Sequence, residues 1–140
     1  MYGGPLILID LGTATTFDVV SAKGDYLGGA ISPGIKIATE SLFQRTAKLP
    51  RVELIRPKYV IGRDTITAMQ SGLLFGYVGL IEGLISRIQN ELGTPARVIA
   101  TGGYADLLAK ETKVIEIVDP YLTLVGLRVI YERNMGQKYV

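Results

Sequence analysis

The chain has 140 residues, 48% of them hydrophobic and 20% charged, which is material for one domain with a buried core. Its net charge of +2 comes from dispersed Lys and Arg, so there is no basic stripe of the kind that holds nucleic acid. Having no Cys and no His, it has no disulfide framework, no thiolate site and no imidazole for zinc or general-base work, and any metal is held through oxygen.

The opening, MYGGPLILID, lacks the basic n-region of a secretory signal. Three short runs follow one another, Leu6 to Asp10, Thr15 to Ser21 and Tyr26 to Ile31, separated by LGTA and AKGD. The Gly-containing breaks and β-branched content predict an antiparallel meander. After Ser32-Pro33-Gly34 the spacing of Ile35, Ala38, Leu42 and Phe43 changes to that of a helix. The stretch from Thr46 to Asp64 contains Pro50 and Pro57 and reads as an extended loop, with Asp64 or Thr65 as the N-cap of what comes next.

From there to Leu92 runs the longest helical pattern, expected to break near Gly72 and to be buried on several sides. Its uncharged run from Ser71 to Ile81 falls short of the roughly 20 apolar residues a membrane span needs, and a cytoplasmic protein is expected. ARVIATGG then reads as a strand ending in Thr101-Gly102-Gly103, YADLLAKE as a short helix and VIEIV as a strand. PYLTLVGLRVIYER reads as a closing helix with Pro120 in its first turn, and the tail NMGQKYV as frayed. The order βββαα-βαβα implies a mixed sheet carrying helices, an α/β fold.

Three motifs carry candidate chemistry. In DLGTATT, Asp10 can bind a cation, Gly12 lets the backbone approach a ligand, and Thr13, Thr15 and Thr16 offer hydroxyls to phosphate oxygens. A polar hairpin turn explains the same residues equally well. In IATGGYA, Gly102 and Gly103 suit close backbone approach to a nucleotide, although a tight strand-to-helix turn also accounts for them. Gly72, Gly76, Gly79 and Gly83 recur along the long helix at a cost in helix propensity. Another helix must lie against them, either from the same chain or from a dimer partner. Glu82 is a candidate paired charge at that contact, Thr65 in GRDT a candidate cap, and Arg63 and Asp64 are expected to be solvated.

The hairpin, the glycine turn and the element order together resemble one half of an actin-like, ribonuclease H-like ATPase fold. More specifically, IDLGTATTFDVV, GGAISPGI, SLFQRTAKLP, IGRDT, GLLFGYVGLIEGLI, ATGG and VDPYLTLVGL resemble, in order, the C-terminal half of type III pantothenate kinases, the Bvg accessory factor-like family. The resemblance runs from Leu6 to Tyr131. It implies ATP-dependent phosphorylation of pantothenate in coenzyme A synthesis, by a homodimer that uses a monovalent cation, K+ or NH4+, and Mg2+. Asp10 matches the family's cation-binding Asp, Thr13 its ATP-contacting Thr, and Thr65 the Thr that closes over pantothenate across the dimer interface. Gly12 joins Thr13 in the ATP loop, and Gly102 and Gly103 match the turn beside the adenosine.

The family's D-x-G-N-T phosphate loop and its G-x-D-R motif, whose Asp is the general base, do not occur in this sequence. The expectation is a single actin-like domain, residues 1–140, corresponding to the second domain of such a kinase without the first, with no catalytic base of its own and no turnover alone. A non-catalytic, regulatory accessory-factor-like dimer is the alternative from another class. A sugar or acetate kinase is disfavoured by TAKLP and GRDT.

Overall fold

The computed structural model describes residues 2–136. Its elements are β1 (Leu6–Leu11), β2 (Ala14–Val20), β3 (Tyr26–Pro33), α1 (Ile35–Arg45), α2 (Thr65–Leu92), β4 (Arg97–Thr101), α3 (Ala105–Ala109), β5 (Ile117–Val118) and α4 (Leu122–Gly136). They form the expected order around one five-stranded mixed sheet, β3-β2-β1-β4-β5. β1 pairs antiparallel with β2 and parallel with β4, so it is the central strand. Fold class and chain order are therefore as the sequence implied.

Strand alternation sends Ile7, Ile9 and Leu11 of β1 and Thr15, Phe17 and Val19 of β2 to one face, where they are buried. Leu74, Val78, Ile81 and Ile85 of α2 and Leu108 of α3 close that face into the main core. A smaller cluster of Val52, Met69 and Leu73 lies beside it, with Ala38 and Leu42 of α1 packed on. Arg56 in the 46–64 loop meets Glu111 at 2.8 Å and stands 5.5 Å above the Phe75 ring, which ties the loop down.

α2 departs from expectation twice. It runs unbroken through Gly72, because its buried side chains outweigh the roughly 1 kcal/mol that each helical glycine costs. Among the described residues it is also buried along one broad face only: a Cβ on Gly72, Gly76 or Gly79 would meet none of them within 4 Å. Counted from Thr65, the apolar stretch exceeds the Ser71–Ile81 run, and α2 is long and apolar enough by composition to cross a membrane. Its apolar side is instead part of the core, the pattern of a central helix in a globular domain.

Asp64 caps α2, with its Oδ1 accepting the Thr67 N–H at 2.9 Å, while the Asp64 N–H donates to Thr67 Oγ1 at 3.4 Å. Asp64 is therefore engaged rather than merely solvated, and Thr65 is not the cap. The Thr67 amide holds the Asp64 carboxyl below its ordinary value of 3.8. A depressed carboxyl stabilises the fold above its unfolded pKa, and the contribution is lost as pH falls through the folded value. Asp64→Ala is expected to lower Tm by a few degrees at pH 7, with the difference from the parent chain shrinking below about pH 4 in a thermal melt series.

The remaining differences are at the C-terminal end. The strand expected over VIEIV pairs only through Ile117 and Val118, and Pro120 stands before α4 rather than in its first turn. Of the tail expected to fray, Asn134 to Gly136 continue α4, and residues 137–140 lie outside the described residues. α4 lies over the second face of the sheet, where Leu122, Val125 and Val129 line a cleft with Leu6, Leu8 and Val20. Its Leu124, Leu127, Ile130 and Tyr131 remain exposed.

Candidate active site at the hairpin tip

Three chain segments converge where the parallel strands end. Gly12 and Thr13 form the turn between β1 and β2, closed by the Gly12 N–H donating to the Ala14 carbonyl at 3.2 Å. The turn after β4 lies directly on it. Gly102 has φ +97°, and a Cβ there would stand 2.6 to 2.7 Å from the backbone of Leu11; the Tyr104 N–H donates to the Leu11 carbonyl at 3.3 Å. The start of α1 is the third segment, with the Gly34 N–H donating to the Thr13 carbonyl at 3.1 Å. In open α/β sheets the carboxyl ends of parallel strands are where ligands bind.

Asp10 occupies the middle of this edge. Its register partners are Thr16 on β2 and Thr101 on β4, so one carboxylate sits in a row between two hydroxyls on one face of the sheet. Gly12 keeps the space beside it open, since a Cβ there would stand 3.4 Å from Asp10 Oδ1. Among the described residues no group of three or more acidic residues could hold a metal ion. One carboxylate with neutral oxygens suits a weakly held monovalent ion better than a divalent one caged by several acids.

A family model described as type III pantothenate kinase matches residues 1–87. The chain belongs to the type III pantothenate kinase family. It is 59% identical over 134 residues to a type III pantothenate kinase from Moorella thermoacetica, covering 96% of this chain and 53% of that protein. A Roseiflexus relative of the same description is 60% identical over 133 residues, covering 95% and 52%. The chain thus spans about half the length of the curated relatives it matches. Among solved structures, a Baf-family protein from Campylobacter jejuni superposes with a TM-score of 0.70 at 23% identity, covering 94% of this chain and 59% of that one. The activator of 2-hydroxyisocaproyl-CoA dehydratase from Clostridium difficile, solved with ADPNP, gives 0.50 at 15%, covering 96% and 63%. Both show the fold.

Within this pantothenate kinase-family domain the sequence candidates separate. Asp10, Gly12, Thr13, Gly102 and Gly103 come together at one edge. Thr13 is exposed, as is Gly103, where a Cβ would meet none of the described residues within 4 Å, so their packing imposes no glycine there. Gly102 is explained by its backbone conformation and by its contact with Leu11. Thr15 is not available to phosphate: it is 1% exposed and faces the core, with its Oγ1 2.5 Å from the Tyr77 hydroxyl. Thr16 faces the other side and donates to Asp18 Oδ2 at 3.1 Å.

Thr65 is exposed at the first position of α2. It lies twelve residues, about 18 Å of helix, from Tyr77, which touches the hairpin. Among the described residues Glu82 has no ion pair; it accepts from the Thr112 hydroxyl at 2.6 Å.

Sequence reading missed two contributors. Gly34 opens α1 in an extended conformation with no side-chain cap, so the N-terminal end of that helix, favourable to anions, rests against Thr13. The signal was the absence of any capping side chain in SPGI. Tyr104 was the other; it lines a cavity of about 200 Å³ with Lys36, Thr39, Phe43 and Arg51, beside the glycine turn.

Proposed function

We propose that this domain is one of two jaws of an ATP-dependent kinase that phosphorylates pantothenate to 4'-phosphopantothenate in coenzyme A synthesis in the cytoplasm. The observation that carries it is the meeting of the Gly12-Thr13 tip, the Gly102-Gly103 turn and the uncapped start of α1 at one strand edge, in a chain of this family. In this reading Gly12 lets the backbone of the ATP loop come close to the phosphates, Thr13 holds their oxygens, Gly102 and Gly103 flank the adenosine, and Asp10 holds K+ or NH4+. A bound cation, with Mg2+ on the nucleotide, would supply neutralisation of phosphate charge. The protein's own part is to position the nucleotide through backbone N–H groups and one hydroxyl, which is most of what phosphoryl transfer asks of an enzyme.

No catalytic base belongs to this chain in the proposal. That role falls to a G-x-D-R segment in the other half of a complete kinase, and the isolated domain turns over little or no pantothenate. Exposed Leu124, Leu127 and Ile130 on α4 support a covering partner domain.

Homodimerisation through the Gly72–Gly83 face of α2 is part of the same reading. No described residue comes within 4 Å of a Cβ at Gly72, Gly76 or Gly79, which leaves that face free for a second copy. Thr65 then reaches pantothenate from the neighbouring protomer. The test is titration of the purified chain with a nonhydrolysable ATP analogue in KCl and in NaCl. Binding that is tighter in KCl, and loses that preference in Asp10→Asn, is expected; no binding in either salt contradicts the assignment of the tip. The regulatory reading has no observation in its favour, since the structural likeness to the Baf-family protein shows the fold alone.

A further inference from the structure

Tyr77 is a buried titratable side chain that the proposed chemistry does not use. It stands midway along α2, 6% exposed, with its hydroxyl 2.5 Å from Thr15 Oγ1 and 2.8 Å from the Pro33 carbonyl oxygen. Having one proton, the phenol donates to the carbonyl and accepts from the threonine. Both partners lead directly to the tip. Thr15 follows Ala14, whose carbonyl closes the Gly12 turn, and Pro33 precedes Gly34, whose N–H holds the Thr13 carbonyl. Gly34 is pressed so closely against the carbonyls of Gly12 and Thr13 that a Cβ there would overlap both. The same tyrosine borders a groove lined by Pro33, Gly72 and Gly76, so the open glycine face of its helix adjoins the contact by which the helix grips the tip.

We propose that Tyr77 is a positioning residue: its hydroxyl locks the Thr13 turn and the start of α1 to α2, so that the helix carrying Thr65 and the glycine face sets the geometry of the nucleotide loop. A core tyrosine without this role would need one hydrogen-bond partner and no particular address. Here one partner stands on β2 just after the turn, and the other ends β3 next to Gly34, which holds the Thr13 carbonyl. Burial raises the Tyr77 phenol above its ordinary 10.0, so it remains protonated and able to donate throughout the physiological range.

The link to nucleotide rests on the reading of Thr13 as a phosphate contact; the mechanical link does not, and the test separates them. In Tyr77→Phe, which keeps the ring, amide exchange at Gly12 and Gly34 is expected to speed up about tenfold, while Ile81 and Ile85 in α2 change less than about twofold. Thr15→Val, which removes the hydroxyl from the other side, is expected to do the same. Affinity for a nonhydrolysable ATP analogue is expected to fall about tenfold in both. Unchanged exchange at Gly12 and Gly34, or uniform acceleration of all amides, overturns the positioning role. Loosened amides with unaltered analogue affinity overturn its extension to nucleotide and the phosphate reading of Thr13, leaving the lock itself supported.

Discussion

Replacing Gly102 by Ala is expected to cost the fold about 3 kcal/mol, whereas the same change at Gly103 costs about 0.5 kcal/mol or less. The two residues are neighbours in one turn, but only Gly102 has a positive φ, at +97°, and only its Cβ would be forced to 2.6 Å from the Leu11 carbonyl carbon. Relief requires moving β4 away from β1, and these strands carry the parallel register Leu6↔Arg97 through Asp10↔Thr101. For a chain of this size the penalty corresponds to a fall in Tm of about 10 °C, measurable by calorimetry. Gly103→Ala should melt with the parent chain yet bind the ATP analogue more weakly, because its new methyl occupies open surface beside the tip. Equal melting temperatures for the two variants would show that the β1–β4 edge is not held by this close approach.

The second large effect is at Asp10. In a complete two-domain kinase containing this chain, Asp10→Asn is expected to reduce turnover by about 10²-fold and to abolish its dependence on K+ or NH4+, with little change in Tm. The substitution keeps the shape and removes the single negative charge in the row Thr16, Asp10, Thr101. A cation that neutralises phosphate charge contributes several kcal/mol to the transition state, so a loss of this size is expected if Asp10 is its ligand as proposed. Steady-state rates measured across a KCl series would check it. A variant that keeps both its rate and its salt dependence would return Asp10 to the status of a turn residue.

Much of the fold was legible because its signals are local. LILIDL, ATTFDVV and YLGGAISP are separated by glycine-containing turns, and Asp64 stands as an N-cap candidate at the polar opening of α2. What was misread depended on which side an element presents. Gly72 read as a break, but it sits on an open face of a helix held by its opposite side. Thr15 read as a phosphate ligand, although the alternation Thr15, Phe17, Val19 already sends it inward with the core residues. VIEIV read correctly as a strand but too long, because only Ile117 and Val118 pair and a two-residue pairing leaves no periodicity to mark its bounds.

The site was legible in the same uneven way. Asp10, Gly12, Thr13, Gly102 and Gly103 were named from their residue types and do meet at one edge. The start of α1 and Tyr77 were not, because what makes them part of the tip is a long-range contact. Gly34 lies 21 positions from Thr13 in the chain and Tyr77 62 positions from Thr15, and neither contact leaves a local pattern.

The central claim is that this domain holds the nucleotide jaw of a pantothenate kinase and needs an opposing half to act. The direct measurement is ATP-dependent formation of 4'-phosphopantothenate by the purified chain, alone and fused to the unmatched half of the Moorella thermoacetica relative, in the presence of KCl and Mg2+. Product from the fusion and none above background from the chain alone is the expected result. Comparable turnover by the chain alone would contradict it.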